Sequence, residues 1–104
     1  MASCSHLDQI SVLRLPESIA GCEECLRIGS PWVHLRMCMT CGLIGCCDSS
    51  PNRHASRHAR DANHPIVRSA ESGEDWSWCF VDKVAFRVEP SGASVEDFAA
   101  DAKP

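Results

Sequence analysis

Apolar residues along this chain come in short alternating runs, the mark of strands rather than of long helices. Ile10, Val12 and Leu15 alternate with polar residues and predict a short strand or extended loop, ended by Pro16. After the Ser30-Pro31 turn, a strand is expected from Trp32 to Met37, with Val33, Leu35 and Met37 on one face. His34 then points the other way, toward solvent, beside Trp32 and Arg36. Gly42 to Gly45 reads as a short apolar link. Ile66 to Ala70 reads as a strand, Glu71 to Asp75 as an acidic turn, and Trp76 to Phe86 as one or two more strands. The helical stretch is polar. Ser50-Pro51-Asn52 suits its start, with Ser50 or Asn52 as N-cap, and it should run to about Ala62. Asn63-His64-Pro65 stops it, because a residue preceding proline avoids the α region. The elements together make an α+β chain. Residues 1–3 read as a loose N-terminus and residues 4–89 as one domain. Residues 90–104 turn to Pro, Ser, Gly, Ala and Asp and read as a flexible tail, at most a frayed helix from Ser94 to Ala100.

The chain has 104 residues, which bounds it to one domain, and it carries only three Trp, three Phe and no Tyr. That is a thin supply for a core, so staples are physically reasonable. Eight cysteines can supply them. The opening MASCSHLDQI holds no apolar segment of the secretory kind, and no apolar run approaches a membrane span. A cytoplasmic location is therefore expected, where thiols stay reduced and dense cysteine usually means metal rather than disulfides. The run from Cys38 to His64 contains Cys38, Cys41, Cys46, Cys47, His54, His58 and His64. Cys38-x-x-Cys41 can put two sulfurs on one ion, and His54 and His58 share a helix face. Cys22-x-x-Cys25 is a second knuckle, and Cys4-Ser-His6 adds two more ligand types. A disulfide framework has no need of these histidines. The pattern points to zinc.

The net charge of −4 disfavours non-specific nucleic-acid binding, and Arg53, Arg57 and Arg60 on the expected helix are the signature of a solvated face. No closed triad, H-E-x-x-H or phosphate-cradling loop is present, so the chain is not read as an enzyme.

Cys4-x-His6, Cys22-x-x-Cys25, Cys38-x-x-Cys41, Cys46, His54, His58, His64-Pro65 and Cys79 follow one another in an order that resembles the ubiquitin-specific-protease-type zinc finger. That module is found in some deubiquitinases and in the cytoplasmic ubiquitin-binding histone deacetylase. The resemblance covers about Cys4 to Phe86 and includes the aromatic positions Trp32 and Trp78. It implies a small zinc-stapled domain, with a twisted antiparallel-type sheet of about four or five short strands packed with one or two helices. Ligand arithmetic runs beside it. With Cys47 and His34 spare, seven cysteines and four histidines fall one short of three tetrahedral sites, and Asp82 can supply the last donor. The resemblance implies the grouping: Cys22, Cys25, Cys46 and His54; Cys38, Cys41, His58 and His64; Cys4, His6, Cys79 and Asp82. One extra residue between Cys46 and His54 leaves both Cys46 and Cys47 open as the ligand. Sites closed by protein donors are structural, so three structural zinc ions are expected.

In the family, an aromatic-walled pocket receives the free C terminus of ubiquitin, and an arginine grips its carboxylate. Here the matching position is Asp48, followed by Ser49, while Phe80 stands for a tyrosine after Trp78-Cys79. Trp32, Trp78 and Phe80 are expected to line a shallow groove, with Arg53 or Arg36 as the nearby candidates to replace the lost arginine. The resemblance thus implies a monomeric, non-catalytic module for a protein or peptide terminus. Strong ubiquitin binding, nucleic acid and membrane are not expected. A second reading is a thiol- or zinc-based redox regulator acting through Cys46 and Cys47.

Overall fold

A computed structural model describes residues 6–88 and 95–98, with the backbone alone for Leu7 and for 95–98. Six strands form one sheet: β1 (Leu35–Cys38), β2 (Ile44–Cys46), β3 (Ile66–Ser69), β4 (Ser77–Cys79), β5 (Val84–Val88) and β6 (Val95–Phe98). Their order is β2-β1-β3-β4-β5-β6, and every pair is antiparallel. A 3-10 turn (Leu7–Gln9) precedes them, α1 (Glu23–Ile28) comes before β1, and α2 (His54–Asp61) lies between β2 and β3.

The register Cys38↔Val67, Val67↔Trp78 and Trp78↔Ala85 puts these residues on one face. There Val67, Trp76, Trp78 and Ala85 pack together with Phe80 against them. The other face carries Ile66, Cys79 and Phe86, which pack with Met39 beneath Ile10 and Leu13 of the N-terminal strap. That strap is tied down by Ser11 and Val12 N–H groups donating to the Met39 carbonyl, and by Thr40 Oγ1 donating to the Gln9 carbonyl at 2.9 Å. A third cluster consists of Cys22, Cys25 and Cys46 with Trp32 and Leu35 beside them. Its centre is sulfur where an ordinary domain would have Leu or Ile.

α2 sits over the β2 edge and buries only Ala55 and Ala59. Gly45 lets it come close. A Cβ there would lie 2.9 Å from the Ala55 nitrogen and 3.1 Å from its Cα, both backbone atoms that cannot swing aside. Asn63, at φ 56°, adopts the left-handed conformation as α2 ends, and the His64 N–H donates back to the Ala59 carbonyl at 3.1 Å. The expected stop at Asn63-His64-Pro65 is what forms.

Of the two forms expected for Ile10–Leu15, the extended loop is the one that forms, because the Ser11 and Val12 N–H groups bond one carbonyl at a turn rather than a ladder. Other expectations are corrected. Gly42–Gly45 is not a link but leads into β2, whose pairing with β1 the Gly spacing concealed. Val33 is half exposed, since β1 begins only at Leu35, and His34 is exposed but lies ahead of the strand. Neither Ser50 nor Asn52 caps α2; Arg53 does so from a left-handed conformation without a side-chain bond. Ser50 Oγ instead accepts from the Val33 N–H at 2.8 Å, and Asn52 Nδ2 donates to Ser30 Oγ at 2.6 Å. In place of a frayed helix, Val95–Phe98 forms β6 on the β5 edge, whose open row of N–H and C=O groups favours a strand partner. The other tail residues lie outside those described. Among the described residues, no helix is long and apolar enough to cross a membrane.

The close approach at Gly45 predicts that Gly45→Ala destabilises the domain by about 1–3 kcal/mol through overpacking. A urea titration checks this: the midpoint should fall with the slope unchanged.

Candidate metal centres

Three groups of donors converge: Cys22, Cys25, Cys46 and His54; Cys38, Cys41, His58 and His64; and His6, Cys79 and Asp82. Within each, the ligand atoms lie within 4.8 Å of one another. Cys4 lies outside the described residues. The seven described cysteines form no disulfide.

Local structure builds the first group. Cys22 is the N-cap of α1, and its sulfur accepts from the Cys25 N–H at 3.4 Å, the hydrogen bond that closes a Cys-x-x-Cys knuckle. Cys46 ends β2, and its sulfur accepts from the His54 N–H at 3.2 Å. His54 Nδ1 stands 3.2 Å from Cys22 Sγ, 3.4 Å from Cys25 Sγ and 3.6 Å from Cys46 Sγ, while Cys25 and Cys46 sulfurs are 3.9 Å apart. Asn52 Nδ2 reaches Cys25 Sγ at 3.8 Å from outside the group. Sequence reading missed Asn52, whose only signal was its place just before the helix.

In the second group, Cys38 ends β1, Cys41 follows in the turn, His58 is one helical turn beyond His54, and His64 leads into β3. Cys38 Sγ is 3.5 Å from His64 Nδ1, Cys41 Sγ is 3.3 Å from His58 Nε2, and the two ring nitrogens are 3.2 Å apart. The third group joins the strap to the β4–β5 turn. Cys79 Sγ accepts from the Asp82 N–H at 3.4 Å, repeating the knuckle geometry of Cys22 and Cys25. His6 Nδ1 lies 3.1 Å from Asp82 Oδ2 and 3.5 Å from Cys79 Sγ.

These separations can be tested against a metal. Zinc with sulfur at ~2.3 Å and nitrogen at ~2.0–2.1 Å sets tetrahedral edges of roughly 3.8 Å between sulfurs, roughly 3.5 Å between sulfur and nitrogen and roughly 3.3 Å between nitrogens. All three kinds of edge match. The electrostatics agree. Burial pushes the Cys22 thiol up to about 12 and raises Cys38 as well, with neighbouring cysteines adding to both shifts. Packed thiols of this kind ionise at neutral pH only beside a cation. Burial, and then the His64 charge, lower His58, which keeps the ring in the neutral form a metal requires. The donors fit zinc.

Cys46, not Cys47, joins the group. Cys47 is 2% exposed, and its sulfur sits 3.5 Å from Ser50 Oγ. Burial raises its thiol, but the Ser50 hydroxyl, backbone hydrogen bonds and the Arg36 charge outweigh this and lower it. Of the expected groove residues, Trp78 is 6% exposed, and its Nε1 is buried with no hydrogen-bond partner among the described residues. Phe80 packs with it, whereas Trp32 belongs to the cysteine cluster. Burial of Trp78 in the sheet face thus corrects the picture of three aromatics walling one open groove. Asp48 is exposed. Arg36 is 6% exposed, donates to the Leu35 carbonyl at 2.9 Å and lies 4.6 Å above the Trp76 ring.

A small open sheet stapled at its edge by Cys/His groups defines a zinc-finger module. A family pattern described as "Zn-finger in ubiquitin-hydrolases and other protein" matches residues 22–89, and the chain belongs to that family. The solution NMR structure of protein RPA1320 from Rhodopseudomonas palustris is similar to it, with 50% sequence identity and a TM-score of 0.70 over 84% of this chain and 83% of that one. No curated protein matches the chain.

The third group generates a clear expectation. Asp82→Ala should lose one zinc by native mass spectrometry while the other two remain, and Asp82→Cys should keep it, thiolate being the softer donor. An unchanged zinc count in Asp82→Ala would return Asp82 to the surface.

Proposed function

We propose that this protein is a non-catalytic interaction module whose zinc ions are structural, and that its partner is a protein or peptide terminus other than a strongly bound ubiquitin tail. The observation that carries the reading is the closure of the first two donor groups: each offers four protein ligands at tetrahedral spacing. A catalytic zinc keeps a position for water or substrate, and these groups leave none. With Cys4, the third group would close in the same way, giving three structural zincs.

The specificity part rests on Asp48. Family members place an arginine here to grip a carboxylate, and a guanidinium–carboxylate pair is among the strongest polar contacts available. Asp48 removes that contact and adds repulsion. Arg36 is a poor substitute, because its guanidinium is buried over Trp76. The redox reading is disfavoured by the burial of Cys47, which keeps solution oxidants from its sulfur.

Ubiquitin is accordingly expected to bind more weakly than about 1 mM, equivalent to roughly −4 kcal/mol. Titrating labelled protein with ubiquitin and with a Gly-Gly-terminated peptide measures it. Micromolar affinity for either would mean that another cation, Arg53 first, has taken the arginine's role. Binding created by Asp48→Arg alone would show an intact pocket whose own ligand is neutral or cationic at that end.

A further inference from the structure

The three donor groups differ in what they show to solvent. In the first, Cys22, Cys25 and Cys46 are fully buried, and in the third so is Cys79. The second pairs Cys38, at 2% exposed, with Cys41, the one exposed cysteine among the described residues. The 3.3 Å contact of Cys41 Sγ with His58 Nε2 lies at the surface, and His58 and His64 are only partly buried. Oxidants react with thiolate according to its access, so the second group is where they reach donor sulfur.

The same turn can accommodate the oxidised product. The Gly42 N–H donates to the Cys38 carbonyl at 2.8 Å, which closes the turn that carries Cys38 and Cys41. Their sulfurs lie within 4.8 Å of one another, and Cys-x-x-Cys is a spacing that a disulfide bridges. Because Cys41 is exposed, its side chain can rotate toward Cys38 without displacing the core. Cys22 and Cys25 share the spacing, but they are buried with Trp32 and Leu35 packed against their cluster. The second turn also anchors the strap. Its Met39 carbonyl accepts from the Ser11 and Val12 N–H groups, and Thr40 Oγ1 donates to the Gln9 carbonyl. The other two donors, His58 and His64, sit in α2 and at the entry to β3.

We propose that the second donor group is a redox switch, in which a hydroperoxide joins Cys38 to Cys41 as a disulfide and zinc is released. The Cys41 thiolate takes the terminal hydroxyl of the hydroperoxide, forming a sulfenic acid as the O–O bond breaks and the remaining oxygen leaves as an alcohol, or as water from hydrogen peroxide. The Cys38 thiolate then attacks the Cys41 sulfur, forming the S–S bond and expelling hydroxide, which is protonated to water. Two electrons pass from the two sulfurs to the peroxide, and two protons come from solvent. His58 and His64 are then the only donors left, two where a closed site has four. The strap and the last turns of α2 loosen, while His54 keeps the start of α2 docked. The switch rests on zinc in this group but not on the partner proposed above, and Cys47 takes no part in it.

The test treats the zinc-loaded full chain with hydrogen peroxide. A chromogenic chelator reports released zinc, and alkylation followed by mass spectrometry maps the thiols. One zinc should leave at least about tenfold faster than the others, since exposure sets the order of oxidation. Its loss should keep step with a Cys38–Cys41 disulfide, while Cys22, Cys25, Cys46 and Cys79 stay reduced. Amide signals of 57–62 and 11–13 should shift, those of 23–28 should not, and dithiothreitol with added zinc should restore the spectrum. Cys41→His keeps a nitrogen donor but cannot form the disulfide, so its zinc should resist the peroxide. Cys47→Ser should respond as the parent does. Absence of zinc from this group before peroxide is added would overturn the zinc reading and the switch with it. Zinc kept after Cys38 and Cys41 are oxidised, zinc lost without their disulfide, first oxidation at Cys4, Cys79 or the first group, or loss from Cys41→His at the parent's rate would overturn the switch alone.

Discussion

The structure depends on metal–ligand bonds between segments that little else holds together. The first donor group joins the start of α1, the end of β2 and the start of α2; the second joins the end of β1, its turn, the middle of α2 and the entry to β3. α2 is the shared member, and it buries only Ala55 and Ala59. Two buried methyl groups contribute on the order of 1–2 kcal/mol, too little to fix an eight-residue polar helix. A structural zinc in a small finger contributes an apparent ~10–16 kcal/mol at neutral pH, comparable to a small domain's entire stability. His54 and His58 are therefore what dock α2, and Gly45 clears the space for it to dock.

Function follows from what those bonds leave over. Under the proposed interaction role, with the donors committed to staples, the surfaces left for a partner would be the two faces and the edges of the sheet. The face carrying Trp76 and Trp78 is the one where Arg36 is buried over an aromatic ring, close to Glu71, Glu74 and Asp48. Glu71 accepts from the Leu35 N–H at 2.9 Å and Glu74 from the Ser69 hydroxyl at 2.5 Å, so these carboxylates serve the fold. An arginine locked among acids cannot also grip an incoming carboxylate. The opposite face carries Arg68, whose guanidinium donates to the Leu13 and Ser69 carbonyls.

The zinc donors were legible because coordination fixes local spacing: two residues between knuckle cysteines, four positions between helix histidines. The choice between Cys46 and Cys47, left open by the extra residue before His54, could be resolved only in three dimensions, where the His54 N–H meets the Cys46 sulfur. β2 was hidden because a strand opening on Gly42 to Gly45 has weak β propensity, and tertiary pairing with β1 overrides it. β6 was hidden in a tail whose composition suggested no partner, although β5 offers it an edge. Trp78 was misplaced because period-2 alternation says which residues share a face but not what covers that face.

The most direct test of the account is the amide spectrum of the full chain before and after removal of zinc by a strong chelator. Dispersed resonances should collapse as zinc leaves, with α2 and the cysteine cluster losing structure first, and return when zinc is restored. A metal-free chain that keeps its dispersed spectrum would contradict the central claim, because the sheet and its two alanine contacts would then be holding α2 unaided.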